Sequence, residues 1–121
     1  MSKLLQPSTV REMKPVQAAW VGAMVEGEGS LGIKQENRTQ GIYRRPYLSA
    51  VNTSVETIAT LLRFIGDGTV HLASNGVNYP VWAYQLVKKR SLVQLLPQIL
   101  LYLTEKQDKA MDILDFLDGE K

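Results

Sequence analysis

The stretch VQAAWVGAMVEGEGSLGI, from Val16 to Ile33, constrains the fold of this chain more than any other. Residues from Val16 to about Glu26 predict a helix, because Pro15 stands where a first-turn proline is tolerated and no proline interrupts the turns that follow. From Ser30 onward, apolar residues alternate with small or polar ones, as in a half-buried strand. The sequence therefore predicts a helix that leads directly into a strand.

The predicted helix carries a stripe of small residues at helical spacing. Its members are Ala18, Ala19, Gly22 and Ala23. Small side chains let another helix approach closely, but they bury little apolar surface unless it does so. The stripe therefore predicts a helical partner.

An acidic residue follows this helix where the helix dipole opposes it. Glu28 lies between Gly27 and Gly29, just beyond the expected helix end at Glu26. The unpaired carbonyls of a helix C-terminus carry partial negative charge, so a carboxylate there is unfavourable unless a cation is bound. The flanking glycines let the backbone come close to a ligand. The pattern indicates a cation site at Glu28.

The same nine residues, VGAMVEGEG, resemble the motif of the LAGLIDADG homing endonucleases. The aliphatic, acidic and terminal glycine places of that motif are taken by Val21, Met24, Val25, Glu26, Glu28 and Gly29. The chain departs from the usual motif in two ways. Gly22-Ala23 reverses the Ala-Gly order, and glutamate replaces aspartate at both acidic places. The resemblance implies that Glu28 is the catalytic acid.

Length and composition limit the class of protein. With 121 residues there is room for one core, so we expect a single domain over residues 1–121 with an irregular arm at residues 1–14. The absence of cysteine excludes disulfides and thiolate zinc sites. No apolar run approaches the ~20 residues that span a bilayer, and no signal-peptide pattern is present. We therefore expect an intracellular protein with no membrane partner.

Charge is distributed unevenly along the chain. Residues 1–104 carry 11 Lys or Arg against 6 Asp or Glu, whereas residues 105–121 carry 3 against 6. The basic residues concentrate in residues 34–45 and 88–90. This distribution suits a body that faces phosphates, although a solvated charged surface gives the same pattern.

Hydrophobic periodicity and turn residues predict the remaining elements. The strands are Ser30–Glu36, Tyr43–Asn52, Thr69–Ala73 and Val81–Val87; the helices are Val55–Ile65, Leu92–Leu103 with a bend or break at Pro97, and Thr104–Leu117. Turns at Asn37–Gly41 and around Asn75-Gly76 join the strands into two hairpins. The order αββαββα, with an additional C-terminal helix, predicts an α+β fold with one antiparallel sheet and helices on one face. The LAGLIDADG core has the same order, so the resemblance extends from about Val16 to Leu117.

The first hairpin predicts one apolar and one polar face. Leu31 and Ile33 share one face, while the opposite face carries amines, guanidiniums and phenols. A two-stranded ribbon of this kind fits a major groove, where it reaches phosphates and base edges. A sheet face exposed to solvent has the same alternation, so both interpretations stand on the pattern alone.

The second hairpin adds two candidates to this surface. Trp82, Tyr84 and Leu86 share a face that we expect in the core, which turns Gln85 towards DNA. The resemblance places His71 on the DNA-facing side of the third strand. The predicted DNA-contacting residues are Lys34, Glu36, Arg38, Arg45, Tyr47, Ser49, His71 and Gln85.

The resemblance also implies two further active-site residues. The segment LTEKQ near the start of the last helix is similar to the family segment that holds an active-site lysine, which places that role on Lys106. The polar residue that opens the second helix corresponds to Ser54, with Asn52 as the alternative. Ser54 is shorter than the glutamine often found there and needs a water molecule to reach as far.

A single copy of the motif implies a homodimer within this family. We expect the two motif helices to pack across a twofold axis through Ala18, Ala19, Gly22 and Ala23. Each Glu28 carboxylate, with the Gly27 carbonyl, then supplies hard oxygen ligands to Mg²⁺. Mn²⁺ is an alternative metal, and Ca²⁺ is expected to bind without catalysis. The implied substrate is double-stranded DNA with a long, nearly palindromic target, and no small molecule.

Two other functions remain open on the sequence. A non-cleaving nucleic-acid binder, such as an intron maturase or a transcriptional regulator, keeps the fold without the chemistry. A helix-mediated interaction domain binds no nucleic acid at all. The resemblance also suggests an intron-encoded protein of an organelle (chloroplast or mitochondrion) or of a microbe, and the sequence gives no basis for choosing between these origins.

Overall fold

The computed structural model describes residues 9–75 and 79–119. The helices of this part are α1 (Pro15–Glu28), α2 (Val55–Ile65), α3 (Lys89–Ile99) and α4 (Gln107–Gly119), and the strands are β1 (Gly29–Arg38), β2 (Gly41–Asn52), β3 (Thr69–Asn75) and β4 (Pro80–Leu86). A short 3-10 turn, Leu100–Tyr102, follows α3. None of the described helices has the length and apolar character needed to cross a bilayer.

The four strands form one antiparallel sheet in the order β1-β2-β4-β3. A two-residue turn joins β1 to β2, and Gly41 begins β2 with a φ of 137°, which glycine adopts without strain. The helices pack on one face of the sheet. This arrangement confirms the predicted α+β fold with a single antiparallel sheet.

Alternate strand residues and the apolar sides of the helices build the core. Leu31, Leu48, Tyr84 and Leu86 project from the sheet and are fully buried. Ile58, Leu61 and Ile65 of α2, Leu92, Leu95, Leu96 and Ile99 of α3, and Ile113 of α4 meet them. Burial of this apolar surface is the main force that holds the helices against the sheet.

Several element boundaries differ from the predicted ones. β1 extends to Arg38 and β2 starts at Gly41, so the first hairpin turn is shorter than the predicted Asn37–Gly41. α1 continues to Glu28, so the prediction that Glu28 lies beyond the helix was wrong. α3 starts earlier than predicted, at Lys89, runs through Pro97 and ends at Ile99, short of the predicted Leu103, where a 3-10 turn takes over. α4 begins later than predicted, at Gln107.

Two predicted features lie partly outside the described residues. Residues 9–14 of the predicted arm contain no helix or strand, and the Arg11 amide donates to the Ile65 carbonyl at 2.7 Å. The Gln98 side chain accepts from the Met13 amide at 2.8 Å and donates to the Arg11 carbonyl at 2.9 Å. Residues 1–8, and residues 76–78 of the predicted turn, are outside the described part.

Candidate functional site

The C-terminus of α1 presents an exposed carboxylate. Glu28 is the last residue of α1, and Gly29 caps the helix by donating its amide to the Val25 carbonyl. A Cβ on Gly29 would lie 2.8 Å from that carbonyl oxygen and 2.9 Å from the Ser49 carbonyl oxygen, so only glycine allows this approach of helix and sheet. Gly27 has no atom within 4 Å of the position of a Cβ, so the packing of the described chain does not require a glycine there.

The first acid of the motif is bound to the start of α4. Glu26 accepts hydrogen bonds from the backbone amides of Thr104 at 2.8 Å, Glu105 at 3.1 Å and Lys106 at 3.2 Å. The bond from the Thr104 amide contributes most to lowering the pKa of the Glu26 carboxyl below its ordinary value. These amides lie in the turn just before α4 and have no helical partner, so the carboxylate satisfies their hydrogen-bonding requirement. Glu26 therefore ties the motif helix to α4.

Lys106 completes this connection from the opposite side. Its Nζ donates to the Glu26 carbonyl at 2.5 Å, at the C-terminus of α1. The predicted active-site lysine thus lies at the same helix end as Glu28. The sequence assigned Lys106 an active-site role by resemblance and did not predict that its amine donates to a backbone carbonyl.

Ser54 has a structural role in α2. Its Oγ accepts from the Thr57 amide at 3.2 Å as the N-cap, and its own amide donates to Asn52 Oδ1 at 2.8 Å. Because Gly29 pairs with Ala50, the end of β2 lies at the same edge of the sheet as the end of α1. Both candidates for the polar active-site position therefore lie at the same end of the strands as Glu28, and the Ser54 hydroxyl already accepts a hydrogen bond from the Thr57 amide.

The small-residue stripe of α1 divides between two faces. Ala18 is 5% exposed and Gly22 is buried, and a Cβ on Gly22 would lie 2.6 Å from the Tyr102 Cβ. Ala18 and Gly22, which were predicted to contact a second copy, are thus already buried within the chain, and the 3-10 turn covers Gly22. Ala23 is exposed and Ala19 is partly exposed.

The sheet face opposite the helices is polar and uncovered in the described chain. Paired residues of neighbouring strands project to the same side, and the register pairs Lys34 with Arg45 and Ser49 with Gln85. The remaining residues of this open face in the described strands are Ser30, Gly32, Glu36, Arg38, Tyr43, Tyr47, Val51, Thr69, His71, Ser74, Val81 and Ala83. All eight predicted DNA-contacting residues thus lie on one face.

Some residues of the open face were missed by sequence reasoning. Ser30 and Thr69 continue the alternation of the strands, which could have identified them. Ser74 could not be found this way, because a bulge between Leu72 and Ser74 shifts the register of β3 by one residue. The bulge places Ser74, in place of Ala73, beside Val81.

Glu36 organises the charges of this face. Its carboxylate lies 2.9 Å from Arg45 Nη1 and 3.4 Å from Arg38 Nη2. The hydrogen bond from Arg45 is the largest cause of a lowered pKa at the Glu36 carboxyl. The Arg38 guanidinium lies 4.5 Å from the Tyr43 ring centroid and the Lys34 amine 5.0 Å from that of Tyr47.

The oxygen donors at the end of α1 suit a hard cation but are few. Among residues 9–75 and 79–119, no group of three His, Cys, Asp or Glu side chains could hold a metal. Glu28 contributes an exposed carboxylate, and Gly27 contributes a carbonyl from the last helical turn, where carbonyls lack helical partners. Mg²⁺ commonly takes one or two carboxylates and completes its shell with water and substrate phosphates. The donor set therefore fits Mg²⁺ when a nucleic acid supplies further oxygens.

Solved structures show which fold this is. The chain superposes on the homing endonuclease I-CvuI in complex with its target with a TM-score of 0.76 and 20% identity, over 86% of this chain and 67% of I-CvuI. The intron-encoded homing endonuclease I-CeuI in complex with DNA gives 0.75 and 16% identity, over 89% of this chain and 56% of I-CeuI. The LAGLIDADG homing endonuclease I-SmaMI bound to cleaved DNA gives 0.73 and 21% identity, over 93% of this chain and 39% of I-SmaMI.

The chain therefore has the fold of the LAGLIDADG homing endonucleases, as the motif resemblance implied. It spans about two thirds or less of the length of these three proteins. No protein-family model matches the sequence, and no curated protein matches it. Complexes of I-CvuI were determined with calcium or with magnesium.

Proposed function

We propose that this chain is a site-specific endonuclease of double-stranded DNA that acts as a homodimer with a divalent metal. The observation that carries the proposal is the position of Glu28, an exposed carboxylate at the end of α1, on a chain whose polar sheet face is left open. The structural neighbours are DNA endonucleases in complex with DNA, which supports the same class of activity here.

The exposed face of α1 supports a second copy as the partner. Val16 is 75% exposed, and Ala19, Ala23 and Gly27 continue the same face without a partner in the described chain. Helices packed across this face bring two copies of Glu28 to the twofold axis. Like charges so placed repel each other, and bound cations relieve that repulsion.

The dimer has a direct test in solution. Ala23→Arg places a charge on the proposed interface, whereas Ala59→Arg places the same charge on the exposed side of α2. Light scattering should give a dimer for the parent chain and for Ala59→Arg, and a monomer for Ala23→Arg. A parent chain that is monomeric at micromolar concentration contradicts the proposed assembly.

The chain's own groups then have distinct tasks. The open sheet face binds the major groove and fixes the register of the duplex. Glu28 and the Gly27 carbonyl hold the metal, with Mg²⁺ as the expected ion, Mn²⁺ as a substitute and Ca²⁺ as a non-catalytic one. Bound Mg²⁺ supplies Lewis-acid polarisation of the phosphate and a lower pKa for a bound water. Lys106 offsets negative charge at the phosphate after its amine leaves the Glu26 carbonyl.

Glu28→Gln tests the catalytic assignment. The substitution keeps the shape of the side chain and removes the charge that holds the metal, so we expect cleavage of a plasmid library to fall by at least ~100-fold, on the order of the loss of one transition-state contact. The control is Glu12→Gln, an exposed carboxylate on the segment before α1. DNA retention with Ca²⁺ should survive in both variants. Cleavage by Glu28→Gln at the parent rate contradicts the assignment.

One observation favours a second function, a non-cleaving nucleic-acid binder. The Ser54 hydroxyl is engaged as the N-cap of α2, and the Lys106 amine is engaged by the Glu26 carbonyl. Both groups therefore already have partners within the chain. An intron maturase or transcriptional regulator requires neither group. Salt-dependent binding of DNA without cleavage in Mg²⁺ or Mn²⁺ identifies this second function.

A further inference from the structure

The carboxylate of Glu36 is in an unexpected place for a surface that binds DNA. It projects from the open face beside Arg45, Arg38 and Lys34, where it opposes the attraction of these cations for phosphates. Stability gives little reason for it, since its side chain is 39% exposed and exposed ion pairs contribute little to folding. Recognition of DNA therefore explains the position of Glu36 better than stability of the fold does.

The geometry around Glu36 restrains both arginines. One carboxylate oxygen contacts Arg45 Nη1 at 2.9 Å and the other contacts Arg38 Nη2 at 3.4 Å, so the two guanidiniums share one anion. The Arg38 guanidinium is also held over the Tyr43 ring at 4.5 Å. The side chains of Arg45 and Arg38 are 55% and 49% exposed, so their remaining N–H donors stay accessible.

A concave surface lies next to this group. A hollow of about 450 Å³ is lined by Lys34, Glu36, Arg45, Tyr47 and Gln85, among others. A guanidinium in a fixed orientation can form a bidentate pair with O6 and N7 of a guanine, which a freely rotating one does less selectively. An arginine whose charge is partly neutralised by a carboxylate also gains less binding free energy from phosphates, whatever the DNA sequence.

We propose that Glu36 is a positioning residue for sequence discrimination: it holds Arg45 for the edge of a guanine and reduces the affinity of the face for arbitrary DNA. This inference rests on the proposed function, since it concerns DNA binding by the same face. Glu36 acts through Arg45 and Arg38 and makes no essential base contact of its own. This role differs from the direct contact with DNA that the sequence predicted for Glu36.

The first test compares the parent chain with Glu36→Gln on two probes in Ca²⁺ buffer. One probe is a single duplex of arbitrary sequence, and the other is a pool of random-sequence duplexes from which bound molecules are sequenced. On the arbitrary duplex, Glu36→Gln should bind several-fold more tightly, with a salt slope steeper by about 0.9 for each arginine that turns to a phosphate. In the pool, preference for guanine should fall at one position of each half-site.

Two variants control this test. Glu12→Gln makes the same change of net charge away from the open face and should leave the salt slope and base preference unchanged. Arg45→Lys keeps the charge but loses the bidentate geometry, so it should lose the guanine preference without a change of slope. The double variant Glu36→Gln/Arg45→Lys should lose no more preference for guanine than either single variant, because both substitutions remove the same oriented guanidinium.

The possible failures are distinguishable. If the parent binds both probes but Glu36→Gln has the same slope and the same preference, the inference about Glu36 is wrong while the proposed function stands. Weaker binding of the arbitrary duplex by Glu36→Gln also overturns it, because Glu36 then contacts DNA directly. If the parent shows no salt-dependent binding to either probe, the proposed function fails, and the inference fails with it.

Discussion

The two faces of the sheet are built from alternate residues of the same strands, but their side chains differ in what they contact. On the covered face, Leu48 and Tyr84 are fully buried, and the Tyr84 hydroxyl donates to the Asp67 carbonyl at 2.6 Å. On the open face, Lys34 and Arg45 remain exposed, with Lys34 over the Tyr47 ring and Arg45 paired with Glu36. The covered face is complete within one chain, whereas the open face has polar groups still available to a ligand.

Stability and recognition therefore depend on neighbouring positions of the same strand. A one-residue step along a strand exchanges the two faces, so a substitution at one position should destabilise the fold and the next should alter binding. The same division applies to α1, whose small residues face the 3-10 turn on one side and remain exposed on the other. Four predictions test how complete this separation is.

The largest effect is expected from adjacent residues of β2. Leu48→Ala removes a fully buried side chain and should lower the free energy of unfolding by about 2–5 kcal/mol. Ser49→Ala, on the open face, should change it by no more than ~0.5 kcal/mol. Urea denaturation followed by circular dichroism measures both. Equal losses in the two variants contradict the separation of the faces.

A pair of glycines tests the two sides of α1. Gly22→Ala places a Cβ 2.6 Å from the Tyr102 Cβ, so we expect a loss of about 1–3 kcal/mol from overpacking. Gly27→Ala meets no atom within 4 Å and should cause no such loss in stability. Thermal unfolding of both variants, compared at a concentration where both are monomeric, checks this. If Gly22→Ala is as stable as the parent chain, the 3-10 turn moves away from the added Cβ at little cost in free energy.

Neighbouring arginines of β2 should differ in DNA binding. Arg45→Ala removes a side chain of the open face and should weaken binding to selected duplexes by about 1–3 kcal/mol. Arg44 pairs with Gln35 and projects from the opposite side of the strand, so Arg44→Ala should cost much less affinity. Fluorescence anisotropy at fixed salt measures both constants. A similar loss in the two variants shows that net charge, not the face, determines binding.

The smallest effect concerns pH. The pKa of Glu26 is lowered from the ordinary 4.5 by hydrogen bonds from the backbone amides just before α4, that of Thr104 above all, so its ionised form stabilises the fold above pH 4.5. That contribution is lost as the pH falls through the lower pKa of the folded state. Glu26→Gln should therefore have a lower Tm than the parent at neutral pH, with the gap closing below pH 4.5. Glu12→Gln is the control, and a pH-independent gap contradicts this account.

Much of the fold could be predicted because it follows from local patterns. The bounds of α2, Val55–Ile65, match the prediction because Ser54 and Gly66 are a strong N-cap and C-cap. Period-two alternation correctly separated Trp82, Tyr84 and Leu86 from Gln85. The end of α1 was misplaced because glycine weakens a helix without forbidding it, and packing against the sheet decided the outcome.

The residues of the candidate site could be predicted from the sequence, but the groups that they contact could not. The motif identified Glu28, and alternation along the strands identified the open face. The partners of Glu26 could not be predicted, because Thr104 and Lys106 are 78 and 80 residues away along the chain. A similarly large separation along the chain explains why all the small residues of α1 were predicted to lie in one interface, although Gly22 contacts Tyr102 of the same chain.

Local patterns set the periodicities, the glycines and the charges that specify an α+β chain with a carboxylate at the end of a small-residue helix. Those properties depend on neighbours a few residues apart, which the chain carries in any conformation. Folding then settled which side of α1 stays exposed, because the 3-10 turn that covers Gly22 lies far along the chain. It also set the register of the first hairpin, which brings Arg45 beside Glu36. Both outcomes depend on which segments share the same space once the core has formed.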